Sequence, residues 1–201
     1  MAQTTRRLPA ERRRATLMTA ASQLFAERGY DHASLDELAA RVGVTKPIVY
    51  RHFASKKDLY LHLLAVHRDD LLSTLAKEMA TPGALEHRVP RVADAWFSHV
   101  ESHPFAWAML FRDVTGDPEI SRFHTQMRDT ARQAIAGLLV TEHTLQIEPA
   151  ILEPLAEVLR SAMTGLALWW LDHRDVPRAT LVATIMQTAW RGLASAIDHT
   201  A

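Results

Sequence analysis

The chain contains no cysteine. A disulfide framework, a thiolate metal site and the usual catalytic thiol are all excluded by that one absence, which also fits a reducing compartment. Long apolar runs are missing as well. The longest, Gly165 to Leu171, falls far short of the ~20 residues that a membrane-spanning helix requires. The N-terminal stretch MAQTTRRLPAERRRA is basic but has no apolar block of the secretory kind. No Gly-x-Ser-x-Gly, His-Glu-x-x-His or phosphate-loop motif occurs, so nothing beyond composition supports an enzyme. We expect a soluble cytoplasmic protein without a membrane partner.

Net charge is also absent, at 23 basic and 23 acidic residues, which taken alone argues against a polyanion binder. The balance hides a strong asymmetry. Residues 1–68 hold 12 Lys+Arg and 6 Asp+Glu, whereas residues 69–201 hold 11 and 17. A basic first third joined to an acidic remainder suits a protein in which only the first part meets a nucleic acid.

With 48% hydrophobic residues in 201, the chain can bury a substantial core. Its apolar spacing is helical throughout. Leu17, Ala21, Leu24 and Phe25 mark a first helix from about Pro9 to Arg28, stopped by Gly29. Leu35, Leu38, Ala39 and Val42 repeat the pattern, with Ser34 and Glu37 as a capping box and Gly43 as the stop. Thr45 is placed to cap a third helix that tolerates Pro47 in its first turn. Ser55 and Asp58 open a fourth helix running through Leu59, Leu63, Val66, Leu71, Leu75 and Met79. Further helices are predicted at about Pro90–Ser102, Pro104–Asp113, Pro118–Val140, Pro149–His173 and Pro177–Asp198. The expected fold is all-α: a three-helix helix-turn-helix domain with a basic N-terminal arm over residues 1–58, then a helical domain over 59–201.

Short helix, glycine turn, short helix is the layout of a helix-turn-helix, whose second helix enters the DNA major groove. On that helix Val44, Val49 and Phe53 are spaced to face inward, leaving Thr45, Lys46, Pro47, Tyr50 and Arg51 to project outward. Lys46 and Arg51 suit phosphate or the guanine N7/O6 edge; Pro47 and Ile48 suit a thymine methyl, with Ile48 equally able to complete the small core. Free amides at Ser55 to Lys57 offer a phosphate site. Arginines 6, 7, 12, 13 and 14 form either a minor-groove arm or the solvated basic end of the first helix.

The run from Gly43 to Leu59, GVTKPIVYRHFASKKDL, together with Phe25-Ala-Glu-Arg-Gly29-Tyr30, resembles the signature of the tetracycline-repressor (TetR) family over about residues 12–64. The resemblance implies backbone contacts for Tyr50, His52 and Lys56, and implies a second domain that binds a small-molecule effector and forms a homodimer through its last two helices. Two faces suit that dimer role: Leu152, Leu155, Leu159, Ala162, Leu166 and Trp170, and Val182, Ile185, Met186, Ala189, Leu193 and Ile197. An internal helix pair is the alternative.

Large soft side chains crowd the middle of the chain. Of these, Trp96, Phe97, Val100, Trp107, Phe111, Phe123 and Met127, with Trp170, are candidates for lining an apolar effector pocket, near polar groups such as His99, His103, Arg112, His124 and Gln126. His99 and His103 stand at i and i+4, but Pro104 comes next and acidic neighbours are common throughout. Histidines scattered through such a chain are expected on the surface. No metal or other cofactor is expected. The sequence points to a DNA-binding transcriptional regulator, most simply a repressor released from a palindromic operator by an apolar or aromatic molecule. A DNA-binding dimer without an effector and a small helical enzyme are the competing readings.

Overall fold

A computed structural model describes residues 10–112, 116–141 and 148–190. Helices account for nearly all of them, and no strand occurs among the described residues. They are α1 (Ala10–His32), α2 (Leu35–Val42), α3 (Lys46–His52), α4 (Lys56–Met79), α5 (Leu85–Ser102), α6 (Pro104–Phe111), α7 (Pro118–Thr141), α8 (Pro149–Leu171) and α9 (Arg178–Ile185), the last running into a π-helical turn at Met186–Trp190. No helix among the described residues is long and apolar enough to cross a membrane.

Local chemistry explains most boundaries. Gly29 breaks α1 at φ +72°, and Gly43 ends α2 at φ +70°, a left-handed conformation that L side chains enter only at a cost. At Gly43 the turn is closed by amides bonding back to α2, Gly43 N to Ala40 O and Val44 N to Ala39 O. Ser34 Oγ accepts from Glu37 N at 3.1 Å, and Ser55 Oγ from Asp58 N at 3.0 Å. The carboxylate of Asp58 reaches back to Ala54 N, whereas that of Glu37 turns to Arg41 instead of closing its box. Thr45 makes no side-chain cap bond, contrary to expectation. The sequence suggests a helix start at Pro90, yet α5 begins five residues earlier at Leu85 and carries Pro90 inside it.

The helices enclose two cores. The first gathers Leu17, Leu24, Phe25, Leu38, Val49, Phe53, Leu59, Tyr60, Leu63 and Leu64, joined by Met109 and Leu110 of α6 and Ile120 and Met127 of α7. Phe25 and Tyr30 both contact Tyr60, the former edge-on at 4.8 Å between ring centres. The second gathers Leu71, Phe97, Val100, Trp107, Ala167, Trp170, Leu181 and Ile185. Residue 58, the expected domain boundary, lies in the first turn of α4, and α4 contributes to both cores. The head is therefore not packed independently of the second domain. Lys57, at the start of α4, pairs with Glu119 at 2.9 Å and Asp117 at 3.6 Å, across the start of α7.

Nothing lies within 4 Å of a Cβ added at Gly43, so Gly43→Ala tests the backbone alone. The variant should lose about 1–2 kcal/mol of stability, read as a lower denaturation midpoint in urea with an unchanged slope.

Candidate nucleic-acid interface

The amphipathic spacing of α3 buries Val49 completely and leaves the opposite side open. Thr45, Lys46, Pro47, Tyr50 and Arg51 are all exposed, Tyr50 at 46%, and Ile48 is half-buried between the two sides. Val44 is half-buried against the first core and Phe53 closes the C-terminal end of α3 from within it. Five of the seven predicted DNA-binding residues thus share one surface.

Electrostatics on that surface are partly self-compensated. Lys46 Nζ donates to Asp36 Oδ2 at 2.9 Å, a pair open to water on both sides, and the carboxylate holds the ammonium above its ordinary pKa. The ammonium also lies 6.0 Å from the centre of the Tyr50 ring. So exposed a pair is screened by water and weak, and a phosphate can displace Asp36 at little cost.

His52 is only partly exposed, and its Nε2 is buried with no hydrogen-bond partner among the described residues. Burial, then the positive charges of Arg51, Arg14 and Arg13, hold the imidazole below its usual pKa. An anion at the end of α3 would oppose that shift and supply an acceptor.

Lys56 is placed differently from expectation. Its ammonium donates to three backbone carbonyls, Tyr30 O at 2.8 Å, Ala33 O at 3.1 Å and Asp31 O at 3.2 Å, and sits 4.5 Å from the Tyr30 ring centre. All three N–H donors are used inside the protein, so Lys56 clamps the end of α1 to the start of α4. A Lys after the capping Ser gives no local signal for this; the three carbonyls are more than twenty residues away. Arg14 is likewise structural. Its guanidinium lies 4.8 Å from the Phe53 ring centre and donates to His52 O at 3.4 Å and His62 Nε2 at 3.1 Å. Residues 12–14 therefore belong to the basic end of α1, and the arginines at 6 and 7 lie outside the described residues.

In the second domain the predicted pocket residues are divided between the two cores. Phe97, Val100, Trp107 and Trp170 are buried in the second core, with Trp96 and Phe111 packed on it, while Met127 and Phe123 belong to the first core. Aromatic rings fill the space themselves: Trp96 meets Trp107 edge-on at 4.6 Å, Trp107 meets Phe111 at 4.0 Å, and Phe97 meets Trp170 edge-on at 6.0 Å. Of the eight predicted lining residues, Phe123 alone borders either of two surface grooves, of about 290 and 770 Å3. Three buried polar atoms on the surrounding helices have no hydrogen-bond partner among the described residues: Trp96 Nε1, Trp107 Nε1 and Thr164 Oγ1.

The two predicted dimer faces are also rotated. Trp170 turns inward, its Nε1 donating to Val176 O at 2.8 Å, and Val182 and Ile185 pack into the second core. On α8 the exposed large apolar side chains are Ile151, Val158 and Trp169, with Val158 61% exposed, whereas Ala162 and Leu166 pack on the second core. Leu193 and Ile197 lie outside the described residues, as does the side chain of Ala189.

A buried three-helix head presenting one short polar helix on a basic surface, ahead of a helical domain, defines a helix-turn-helix transcriptional regulator. Comparison with known proteins makes the family explicit. Residues 17–63 match the model of "Bacterial regulatory proteins, tetR family", and residues 85–192 match "Tetracyclin repressor-like, C-terminal domain". The chain is 31% identical over 189 residues to the HTH-type transcriptional activator FasR of Mycolicibacterium smegmatis, covering 93% of this chain and 85% of FasR. A 37-residue stretch, 18% of this chain and 20% of the relative, is 49% identical to IcaR of Staphylococcus aureus, named as a biofilm operon icaADBC negative transcriptional regulator. The crystal structure of a TetR-like transcriptional regulator from Rhodococcus sp. RHA1 superposes with a TM-score of 0.80 at 23% identity, covering 94% of this chain and 99% of that one. The chain belongs to the TetR family of DNA-binding transcriptional regulators.

The interface geometry sets two expected outcomes. Lys56→Ala should lower the stability of the free protein by about 1.5–3 kcal/mol, seen as a reduced melting temperature without DNA, because charge-assisted bonds to three carbonyls are lost. Asp36→Asn should tighten binding to arbitrary duplex DNA by up to about fivefold at low salt, measured by fluorescence anisotropy, with the gain fading as salt rises.

Proposed function

We propose that this chain is a homodimeric regulator, acting in the cytoplasm and not as an enzyme, that occupies a palindromic operator and leaves it when an apolar or aromatic molecule enters the second domain. The observation that carries the DNA reading is the open row Thr45, Lys46, Pro47, Tyr50 and Arg51 on a helix whose other side is sealed in the core. Lys46, Pro47 and Arg51 read bases or neutralise phosphate; the Tyr50 hydroxyl and the His52 imidazole take phosphate oxygens. The free amides at the start of α4 add an anion site, with Lys56 setting their position.

The exposed apolar stripe on α8 supports the dimer. Two copies related by a two-fold axis would cover Ile151, Val158 and Trp169 and hold two recognition helices about one helical turn of DNA, or a multiple of it, apart. Effector entry is supported by the Trp96, Trp107 and Thr164 polar atoms, which have no partner among the described residues, since each buried orphan costs about 1–3 kcal/mol that a ligand's polar group recovers. The ring cluster must open to admit it. Movement there reaches α3 through α4, and a coupling of about 1–3 kcal/mol would change operator affinity 5-fold to 150-fold.

Occupying an operator most simply blocks transcription, and the short IcaR stretch belongs to a negative regulator. The activator reading has its own support, because FasR matches over almost the whole chain and is an activator. Transcription from the bound promoter, with and without the protein, separates the two.

Anisotropy titrations with the chain's own upstream DNA test the proposal. Tyr50→Phe should weaken binding about fivefold irrespective of sequence, whereas Lys46→Ala and Pro47→Ala should alter base preference. Equal affinity of the native protein for its upstream DNA and for unrelated duplex would overturn the operator assignment. Sedimentation should give a dimer at micromolar concentration and a monomer for Val158→Glu; a monomeric native protein overturns the dimer. In a thermal-shift screen, an effector at a hundred times its dissociation constant should add about 2.7 kcal/mol of stability.

A further inference from the structure

His99 lies in the last turn of α5 and His103 caps its C-terminal end, and the sequence offers no partner for them. The fold brings one from α4. Asp70 Oδ2 stands 3.8 Å from His99 Nδ1 and 3.9 Å from His103 Nε2, and the three donor atoms all lie within 4.8 Å of one another. The imidazoles stack with ring centres 4.5 Å apart. From this geometry we propose a divalent transition-metal site, of the Zn2+ class, formed by Asp70, His99 and His103.

Several features favour a metal over a simple ion pair. Two imidazoles and one carboxylate are a donor set that zinc, cobalt and nickel accept, and three protein ligands leave a position open for water. The His103 ring donates Nδ1–H to His99 O at 3.2 Å, which fixes its tautomer and turns the Nε2 lone pair toward Asp70. Metal-binding histidines are oriented in this way by a backbone carbonyl on the other ring nitrogen. His99 is buried, against the expectation of surface histidines, and burial is the main cause that keeps its pKa low.

Closing the site takes small movements. Tetrahedral ligands with bonds of about 2.0–2.1 Å stand roughly 3.4 Å apart, so the donor atoms must draw in by about 0.5–1.5 Å. Asp70 and His103 can do this because their side chains are 55% and 45% exposed. Access is provided by the 770 Å3 groove, which both histidines line together with Thr74, Glu78, Ser98 and Ser102. An ion held there fastens α4 to α5, at a point along α4 beyond the residues buried in the head.

The test is a Co2+ titration of the full chain, free of any affinity tag and stripped with a chelator, monitored by visible d–d absorption and equilibrium dialysis. One Co2+ per chain should bind, and Zn2+ should displace it. Asp70→Ala and His103→Gln should each weaken binding more than about 100-fold, while His173→Gln, outside the cluster, leaves it unchanged. Because Asp70 and His103 are exposed, both variants should retain native helicity by circular dichroism. Absence of stoichiometric Co2+ binding, or a change below tenfold in either folded variant, overturns the site.

Discussion

Helix α4 must satisfy two cores at once, and the rest of the molecule is arranged around that constraint. Its first turns bury Leu59, Tyr60, Leu63 and Leu64 with the head, while Leu71 is buried with Phe97, Trp107 and Trp170 in the second domain. A helix is stiff along its axis, so displacement at one end appears at the other. Lys56 clamps the start of this helix to the end of α1, and Lys57 pairs it with α7. The recognition helix is therefore held by a frame that also packs into the second domain.

The charge asymmetry acquires a structural meaning in that frame. Much of the head's positive charge is already committed: Arg41 to Glu27 and Glu37, Arg14 to the end of α3, Lys56 to carbonyls, Lys57 to α7. What remains open on α3 is small, with Lys46 loosely tied to Asp36 and Arg51 exposed. The surplus of +6 in residues 1–68 therefore acts mainly as a field that favours duplex DNA on this side of the molecule. The acidic remainder repels DNA from the other surfaces.

In the second domain, aromatic density and cavity are separate matters. Trp96, Trp107 and Phe111 pack against one another at van der Waals distance, and the grooves lie along α4. Close packing of this kind gains dispersion energy but leaves the Trp96 and Trp107 indole N–H groups without a partner among the described residues. The Asp70–His99–His103 cluster sits on the other side of the same problem, joining α4 to α5 by polar groups where the head's apolar core has ended.

Residue order alone determined the helices of the head, their caps at Ser34 and Ser55, the glycine stop at 43 and the outward row on α3, because each depends on dihedral preference and on a 3.6-residue period within a few positions. It also carried the family signature. It did not determine that Lys56 would spend its ammonium on carbonyls from α1, that α5 would begin before Pro90, or that the exposed stripe of α8 would run through Ile151 and Val158. Nor did it join Asp70 to two histidines some thirty residues later. Those outcomes were decided by tertiary packing. A periodic pattern says that a helix has an apolar side, but which neighbour covers it, and how far the helix rotates to meet that neighbour, depends on contacts between residues distant in sequence.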